Sequence, residues 1–355
     1  MKKMEYRLLG QSGLKVSAIT LGTMTFGGQG AFAKVGGVDT AEARRIIDLS
    51  IERGVNLIDT ANMYSSGLSE EIIGEVLNGK RPGDVLISSK ARMPIGTGPN
   101  DEGFSRYHLI RECEKSLKRL KTDVIDIYYM HEWDGQTPLE EMLEALDNLV
   151  KQGKIRYIGS SNFSGWHTMK ALGTSRENGY QRFVTQQIHY TLEAREVEYE
   201  LLPIGIDQGL GALIWSPLAG GLLSGKYTRE SQTQSGTRFA EGWNEPPIRD
   251  WDRLWNIVDV LNGIAEQKQV SAAQIAVAWL LTRPSVSSVV IGGRTLEQIE
   301  SNIDAAGVLL TVEELQKLDE VSRPALIYPY WHQASFAKNR LSEADKVLLN
   351  PDINP

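Results

Sequence analysis

The stretch Asn56-Leu-Ile-Asp-Thr-Ala-Asn-Met-Tyr-Ser-Ser-Gly-Leu-Ser-Glu70 begins apolar, turns polar at Asp59 and carries a tyrosine at Tyr64. Val55, Leu57 and Ile58 have the short, all-apolar character of a strand buried on both faces, as in a parallel sheet covered by helices. Ser69 stands where a side-chain cap could open a helix at Glu70. Together these features describe one strand-to-helix unit, with Asp59 and Tyr64 on its rim. Taken alone, such a pair reads first as a strand-end aspartate bonding local amides and a loop tyrosine packing its ring. The rest of the chain has to decide between these readings.

The unit recurs. Ala18 to Leu21, Val55 to Asp59, Val85 to Lys90, Val124 to Met130, Ile155 to Ser160, Phe183 to His189, Ala212 to Trp215 and Val286 to Ile291 are short apolar runs separated by helical patterns. Asp39-Thr-Ala-Glu42 is a capping-box pattern, and Thr137-Pro-Leu-Glu140 adds a proline at the first helical position. Gly54 and Gly153 suit helix exits. Before the first unit, Tyr6-Arg-Leu-Leu and Leu14-Lys-Val flank Gly10-Gln-Ser-Gly13, which predicts a β-hairpin cap over residues 1–17. Eight such units predict an α/β fold, a closed (β/α)8 TIM barrel in one domain over residues 1–355. An open doubly wound sheet would need a glycine-rich turn after its first strand, and no G-x-G-x-x-G stands there. Between the seventh and eighth strands, residues 219–250 are irregular, and a loop of that length usually carries function. Residues 323–355 form an irregular tail rich in prolines and aromatics.

The 355 residues carry 38 Lys and Arg against 45 Asp and Glu, a net charge of −7, with the signs interspersed. That balance argues against nucleic acid or an anionic membrane as the main partner. The chain shows no apolar segment long enough for a signal peptide or a membrane span, so a soluble cytoplasmic protein is expected. Cys113 is the only cysteine, which rules out an intrachain disulfide and a cysteine-rich metal site. No two histidines share a helix face at ligand spacing, so no metal is expected.

In a barrel of this kind, chemistry belongs to the carboxyl ends of the strands. There the second strand gives Asp59 and Tyr64, the third ends on Lys90, and the fourth runs Ile125-Asp-Ile-Tyr-Tyr-Met-His131. A lysine on an apolar strand needs a carboxylate, and Asp59 on the next strand can supply it. The ammonium is expected to favour the Tyr64 phenolate and so make Tyr64, whose free pKa is about 10, a general acid. A carbonyl held between Tyr64 and His131 would be polarised and protonated. Alone, His131 reads first as a satisfied buried histidine. Its place at a strand end favours chemistry.

With this quartet the chain resembles the aldo-keto reductase superfamily over almost its whole length: Asp59-Thr-Ala-x-x-Tyr64, Lys90 and His131 match that family's catalytic Asp, Tyr, Lys and His in order and approximate spacing. The resemblance implies NADPH or NADP bound in extended form without a Rossmann loop. Matching positions are Gly22, Thr23, Met24 and Gln29 after the first strand, Ser161 and Asn162 after the fifth, and Gln187 in the sixth. The last three would hold the nicotinamide carboxamide, with Asp59 close by. Trp215, Ser216, Pro217 and Leu218 close the seventh strand, with Trp215 stacking on the nicotinamide. Gly220, Lys226 and Arg238 would wrap the pyrophosphate. Gly292 and Arg294 would take a 2′-phosphate, and Gln298 and Asn302 the adenosine end. Ser301 stands where several relatives carry an acid.

The expected activity is NADPH-dependent reduction of an aldehyde or ketone to an alcohol, reversible, on a small-molecule carbonyl or alcohol substrate. The alternative is an NADP(H)-binding regulatory or redox-sensing subunit. The Gly22–Gln29 and Trp215–Tyr227 segments look particularly like the potassium-channel β-subunit branch, but that branch has Asn where this chain keeps His131. Met24, Met63, Trp133 and the tail aromatics Tyr328 to Trp331 could line a partly apolar mouth. The sequence is compatible with a homo-oligomer.

Overall fold

The alternation closes on itself in the structure, a computed structural model that describes residues 3–229 and 245–349. A hairpin, β1 (Tyr6–Leu8) and β2 (Lys15–Ser17), precedes eight parallel strands: β3 (Ile19–Gly22), β4 (Leu57–Asp59), β5 (Leu86–Ala91), β6 (Ile125–Met130), β7 (Ile155–Ser161), β8 (Thr185–His189), β9 (Gly211–Trp215) and β10 (Val286–Ile291). They form a closed barrel in the order β10-β3-β4-β5-β6-β7-β8-β9. Helices α1 (Thr40–Glu52), α2 (Leu68–Leu77), α3 (Arg106–Leu120), α4 (Leu139–Lys151), α5 (Gly165–Asn178) and α6 (Leu201–Gln208) follow strands β3 to β8. Two helices, α7 (Trp251–Lys268) and α8 (Ala272–Leu281), separate β9 from β10. After β10 come α9 (Leu296–Asp304), α10 (Val312–Ser322), α11 (Tyr330–Phe336) and α12 (Lys346–Leu349).

The main apolar core lies between the barrel and the helices and is built from residues such as Ile46, Ile73, Leu146 and Trp279. A smaller one fills the barrel's amino-terminal end, where Leu9 and Val16 of the hairpin region meet Leu57, Ile127 and Leu213. The hairpin is also tied down by Arg7, whose guanidinium donates to the carbonyls of Leu281 (2.9 Å) and Val286 (3.1 Å). With the amino end plugged, the carboxyl end is left for a site. Among the described residues, no helix is long and apolar enough to cross a membrane.

Two helix starts differ from the sequence pattern, both because another partner takes the capping hydroxyl: a distant one for Ser69, a loop neighbour for Thr137. Helix α2 begins at Leu68 with Gly67, at φ +96°, as its cap. Ser69 instead donates to the Thr23 carbonyl (3.0 Å) and bonds the Thr23 and Thr60 hydroxyls, joining the exits of β3 and β4. Helix α4 begins after Pro138 without a side-chain cap, and the Thr137 hydroxyl donates to Asp134 at 2.7 Å. Asp39 does cap α1, accepting from the Glu42 amide at 2.9 Å.

Candidate active site

The pairing register of β4 with β5 sets Asp59 beside Ser88, and Lys90 follows two residues on at the end of β5. All three side chains are buried. Lys90 Nζ donates to Asp59 Oδ2 at 2.6 Å, to the Thr60 carbonyl at 2.8 Å and to the Tyr64 hydroxyl at 3.3 Å. The other oxygen of Asp59 accepts from Ser88 (2.7 Å) and from the Gln187 amide (2.9 Å). A buried ammonium and carboxylate are tolerated only when paired and bonded in this way.

Tyr64 is held by a tight turn. The next two residues, Ser65 and Ser66, are left-handed (φ 51° and 58°), a conformation that disfavours side chains by about 1–2 kcal/mol each. The Ser65 hydroxyl offsets this, donating to the Phe26 carbonyl and accepting from the Gly28 amide, both at 2.9 Å, so the turn is fastened to the loop leaving β3. The Tyr64 ring stands edge-on to Phe32 (5.5 Å between centroids) and to His131 (5.8 Å). His131 follows β6 directly and its amide donates to the Ala91 carbonyl at 3.0 Å.

Burial, reinforced by the charges of Lys90 and Arg92, holds the His131 pKa well below its ordinary value, so the imidazole is neutral. Burial would also lower Lys90, but Asp59 and Tyr64 outweigh it and the ammonium is stabilised. The expectation of an acidified Tyr64 is overturned: its pKa is raised. Burial is the main cause, and it outweighs the attraction of Lys90, part of which Asp59 cancels by its own negative charge. The phenol therefore stays protonated, which a proton donor requires.

These groups open onto a cavity of about 840 Å³. Asp59, Tyr64 and His131 line it, with Lys90 behind them. Of the positions expected around a cofactor, Gly22, Thr23, Met24, Ser161, Asn162, Gln187, Trp215, Ser216, Pro217, Leu218, Gly220, Lys226, Gly292, Arg294, Gln298 and Asn302 all line it. Gln29 is exposed and is not among the lining residues; its carbonyl accepts from the Phe32 amide. Arg238 lies outside the described residues.

Several lining groups brace the rim. The Asn162 amide spans His131 and Trp215, donating to the carbonyl of one (3.0 Å) and accepting from the indole of the other (3.1 Å). Gln298 accepts from the Arg294 amide at 2.9 Å, and Asn302 donates to the Gly292 carbonyl at 3.3 Å. The Ser161 hydroxyl, by contrast, is buried on the wall without a partner.

Met63 lines the cavity as expected, but Trp133, Tyr328 and Trp331 do not. Trp133 stacks on His167 at 3.7 Å, and the tail lies against Tyr199, whose ring meets Tyr330 at 5.2 Å. Sequence reasoning missed Phe32, Met93, Glu132, Glu245 and Glu297 on the wall. Only Glu132, directly after His131, carried a positional signal. Among the described residues no group of three potential metal-binding side chains comes together.

A closed barrel with a phenol, a buried ammonium–carboxylate pair and a neutral imidazole at its carboxyl rim has the architecture of a barrel oxidoreductase. The profile of the aldo/keto reductase family matches residues 18–323, and the chain belongs to that family. It is 40% identical over 330 residues to the "Uncharacterized oxidoreductase YrpG" of Bacillus subtilis (strain 168), covering 90% of this chain and 96% of that protein. It is 37% identical over 326 residues to a "Probable voltage-gated potassium channel subunit beta" of Arabidopsis thaliana, covering 90% and 96%. It is 34% identical over 349 residues to the "Versiconal hemiacetal acetate reductase" of Aspergillus parasiticus, covering 92% and 99%.

Proposed function

We propose that the protein reduces an aldehyde or ketone to an alcohol with NADPH, and runs in reverse as an alcohol dehydrogenase. The observation that carries this reading is the Tyr64 hydroxyl at the cavity wall, protonated, 3.3 Å from Lys90 and beside a neutral His131. The neutral imidazole donates a hydrogen bond to the carbonyl oxygen and orients it. Tyr64 delivers the proton to that oxygen, and Lys90 stabilises the phenolate left behind.

The lining residues fit NADPH. Ser161 has a buried hydroxyl without a partner, suited to a carboxamide. Gly22 lets β3 pack closely on β10 at the edge of the cavity, since a Cβ there would come within 2.8 Å of Val290. Lys226 and Arg294 bring positive charge to the connections after β9 and β10, where phosphates would lie. When bound, NADPH supplies the hydride to the carbonyl carbon. Trp215 would offer a flat face to its ring, and Arg294 would hold the 2′-phosphate.

The second reading, a cofactor-binding subunit with little turnover, draws on the Arabidopsis relative and would leave Tyr64 and His131 without employment. A screen of NADPH oxidation over aldehydes, ketones and dicarbonyls, with NADH in parallel, separates the two. Turnover of at least one carbonyl compound with NADPH preferred is expected. Tight NADPH binding with no turnover of any compound would favour the subunit.

A further inference from the structure

The cavity's charged lining residues are unevenly placed. Among the described residues, its cations are Lys226 and Arg294, on the connections after β9 and β10, where the wall acids Glu245 and Glu297 also lie. On the side of Tyr64 and His131 the ionisable wall residues are acids. Asp59 is consumed by Lys90, whereas Glu132, the half-buried residue after His131, and Glu245, exposed before α7, are not paired with a wall cation. One Glu132 oxygen accepts from the Trp133 amide at 2.8 Å, which fixes the carboxylate.

Glu132 and Glu245 line the same cavity as Tyr64, and the negative charge of Glu245 raises the pKa of both Glu132 and Tyr64. An opposing charge acting on Glu132 is Arg92, a half-buried residue outside the wall that also lies 3.9 Å from Glu102. Among the described residues, one cation against two carboxylates leaves the region negative. Around it the wall is apolar and pliable: Met24, Met63, Met93 and Phe32.

We propose that Glu132 and Glu245 form a charge filter at the carbonyl side of the cavity, which admits uncharged or cationic carbonyl compounds with an apolar body and rejects those bearing a carboxylate. The proposal rests on the carbonyl-reductase reading and adds the substrate class. Its physical basis is like-charge repulsion across a partly desolvated pocket, where a second anion meets little screening.

The test compares three benzaldehydes of one shape that carry a methyl ester, a carboxylate or a trimethylammonium group at the para position. In the unmodified protein, kcat/KM for the ester should exceed that for the carboxylate by about tenfold or more, and the cation should fare at least as well as the ester. In Glu132→Gln, which keeps an oxygen to accept from Trp133, the ester-to-carboxylate ratio should fall by about fivefold, and by more in the double variant with Glu245→Gln. Added salt should narrow the ratio in the unmodified protein more than in the double variant. If the ester is reduced but the ratio is near one, or is unmoved by both substitutions, the filter is refuted and the carbonyl-reductase reading stands. If NADPH reduces none of the three, nor any carbonyl compound in the wider screen, that reading fails and the filter falls with it.

Discussion

Replacing Tyr64 by Phe removes one hydroxyl and nothing else, and the structure allows its effects on folding and on chemistry to be separated. The ring contacts with Phe32 and His131, and the approach of Lys90 Nζ to 4.9 Å from the ring centre, all survive in the variant. The lost bond, at 3.3 Å, is the longest of the three that Lys90 makes; those to Asp59 and the Thr60 carbonyl remain. The effect on stability should therefore be about 1 kcal/mol or less. The chemical step should lose a positioned general acid, a factor of about 10²–10⁴, or roughly 3–5 kcal/mol of barrier. NADPH affinity should stay within about twofold, because a residue acting only on the reacting oxygen contributes little ground-state binding. Steady-state rates alone would not suffice, since slow release of NADP can hide a slowed chemical step. Single-turnover oxidation of bound NADPH, followed by stopped flow, measures the step directly. A Tyr64→Phe enzyme with unimpaired single-turnover hydride transfer would refute Tyr64 as the donor.

Arg294→Ala should weaken NADPH by about 2 kcal/mol, the scale of a charge-assisted contact, and leave NADH nearly unaffected; an unchanged ratio of the two dissociation constants would remove Arg294 from the 2′-phosphate. Asp59→Asn leaves the Lys90 ammonium buried beside a neutral amide and should cost about 3–5 kcal/mol in chemical denaturation, so a variant as stable as its parent would show the pair to be dispensable. Burial holds the imidazoles of His108 and His131 below their ordinary pKa. The unfolded chain therefore binds protons below pH ~6.5 that the folded chain does not, and stability present above that pH should be lost as pH falls, by up to about 1.4 kcal/mol per pH unit for each group. Calorimetry from pH 7 to pH 5 checks the sign, and His131→Asn should flatten the dependence; the same slope in that variant would show that His131 contributes none of it.

The barrel was legible because parallel strands covered on both faces must be short and continuously apolar, and all eight such runs became strands within a few residues of their expected bounds. Asp59, Tyr64, Lys90 and His131 were legible for a related reason: polar residues that end apolar strands have few places to go but the rim. What the sequence could not rank was competition between partners. Ser69 and Thr137 carry capping patterns, yet the Ser69 hydroxyl is taken by the Thr23 carbonyl across the barrel rim and the Thr137 hydroxyl by Asp134 in its own loop. The amides of Gln187 and Asn162 look like ligand contacts in one dimension, and in three they also hold Asp59, His131 and Trp215. Trp133, one residue beyond Glu132, turns away to stack on His167 while Glu132 faces the cavity. Nothing local distinguishes the two, since a residue past a strand end is no longer bound to the strand's alternation.

With Tyr64 as the proton donor proposed above, its raised pKa accounts for the pair behind it. A donor to a carbonyl that is becoming an alkoxide need not be acidic relative to water at neutral pH. It must only be more acidic than the alcohol it creates. Burial by the surrounding wall keeps the proton on Tyr64 throughout the physiological range. The problem is then the phenolate left in a dry site, and the geometry addresses it with Lys90, held charged by Asp59 and presented at 3.3 Å. Asp59 both sustains that ammonium and partly cancels it at Tyr64, which keeps the phenol from losing its proton before a substrate arrives.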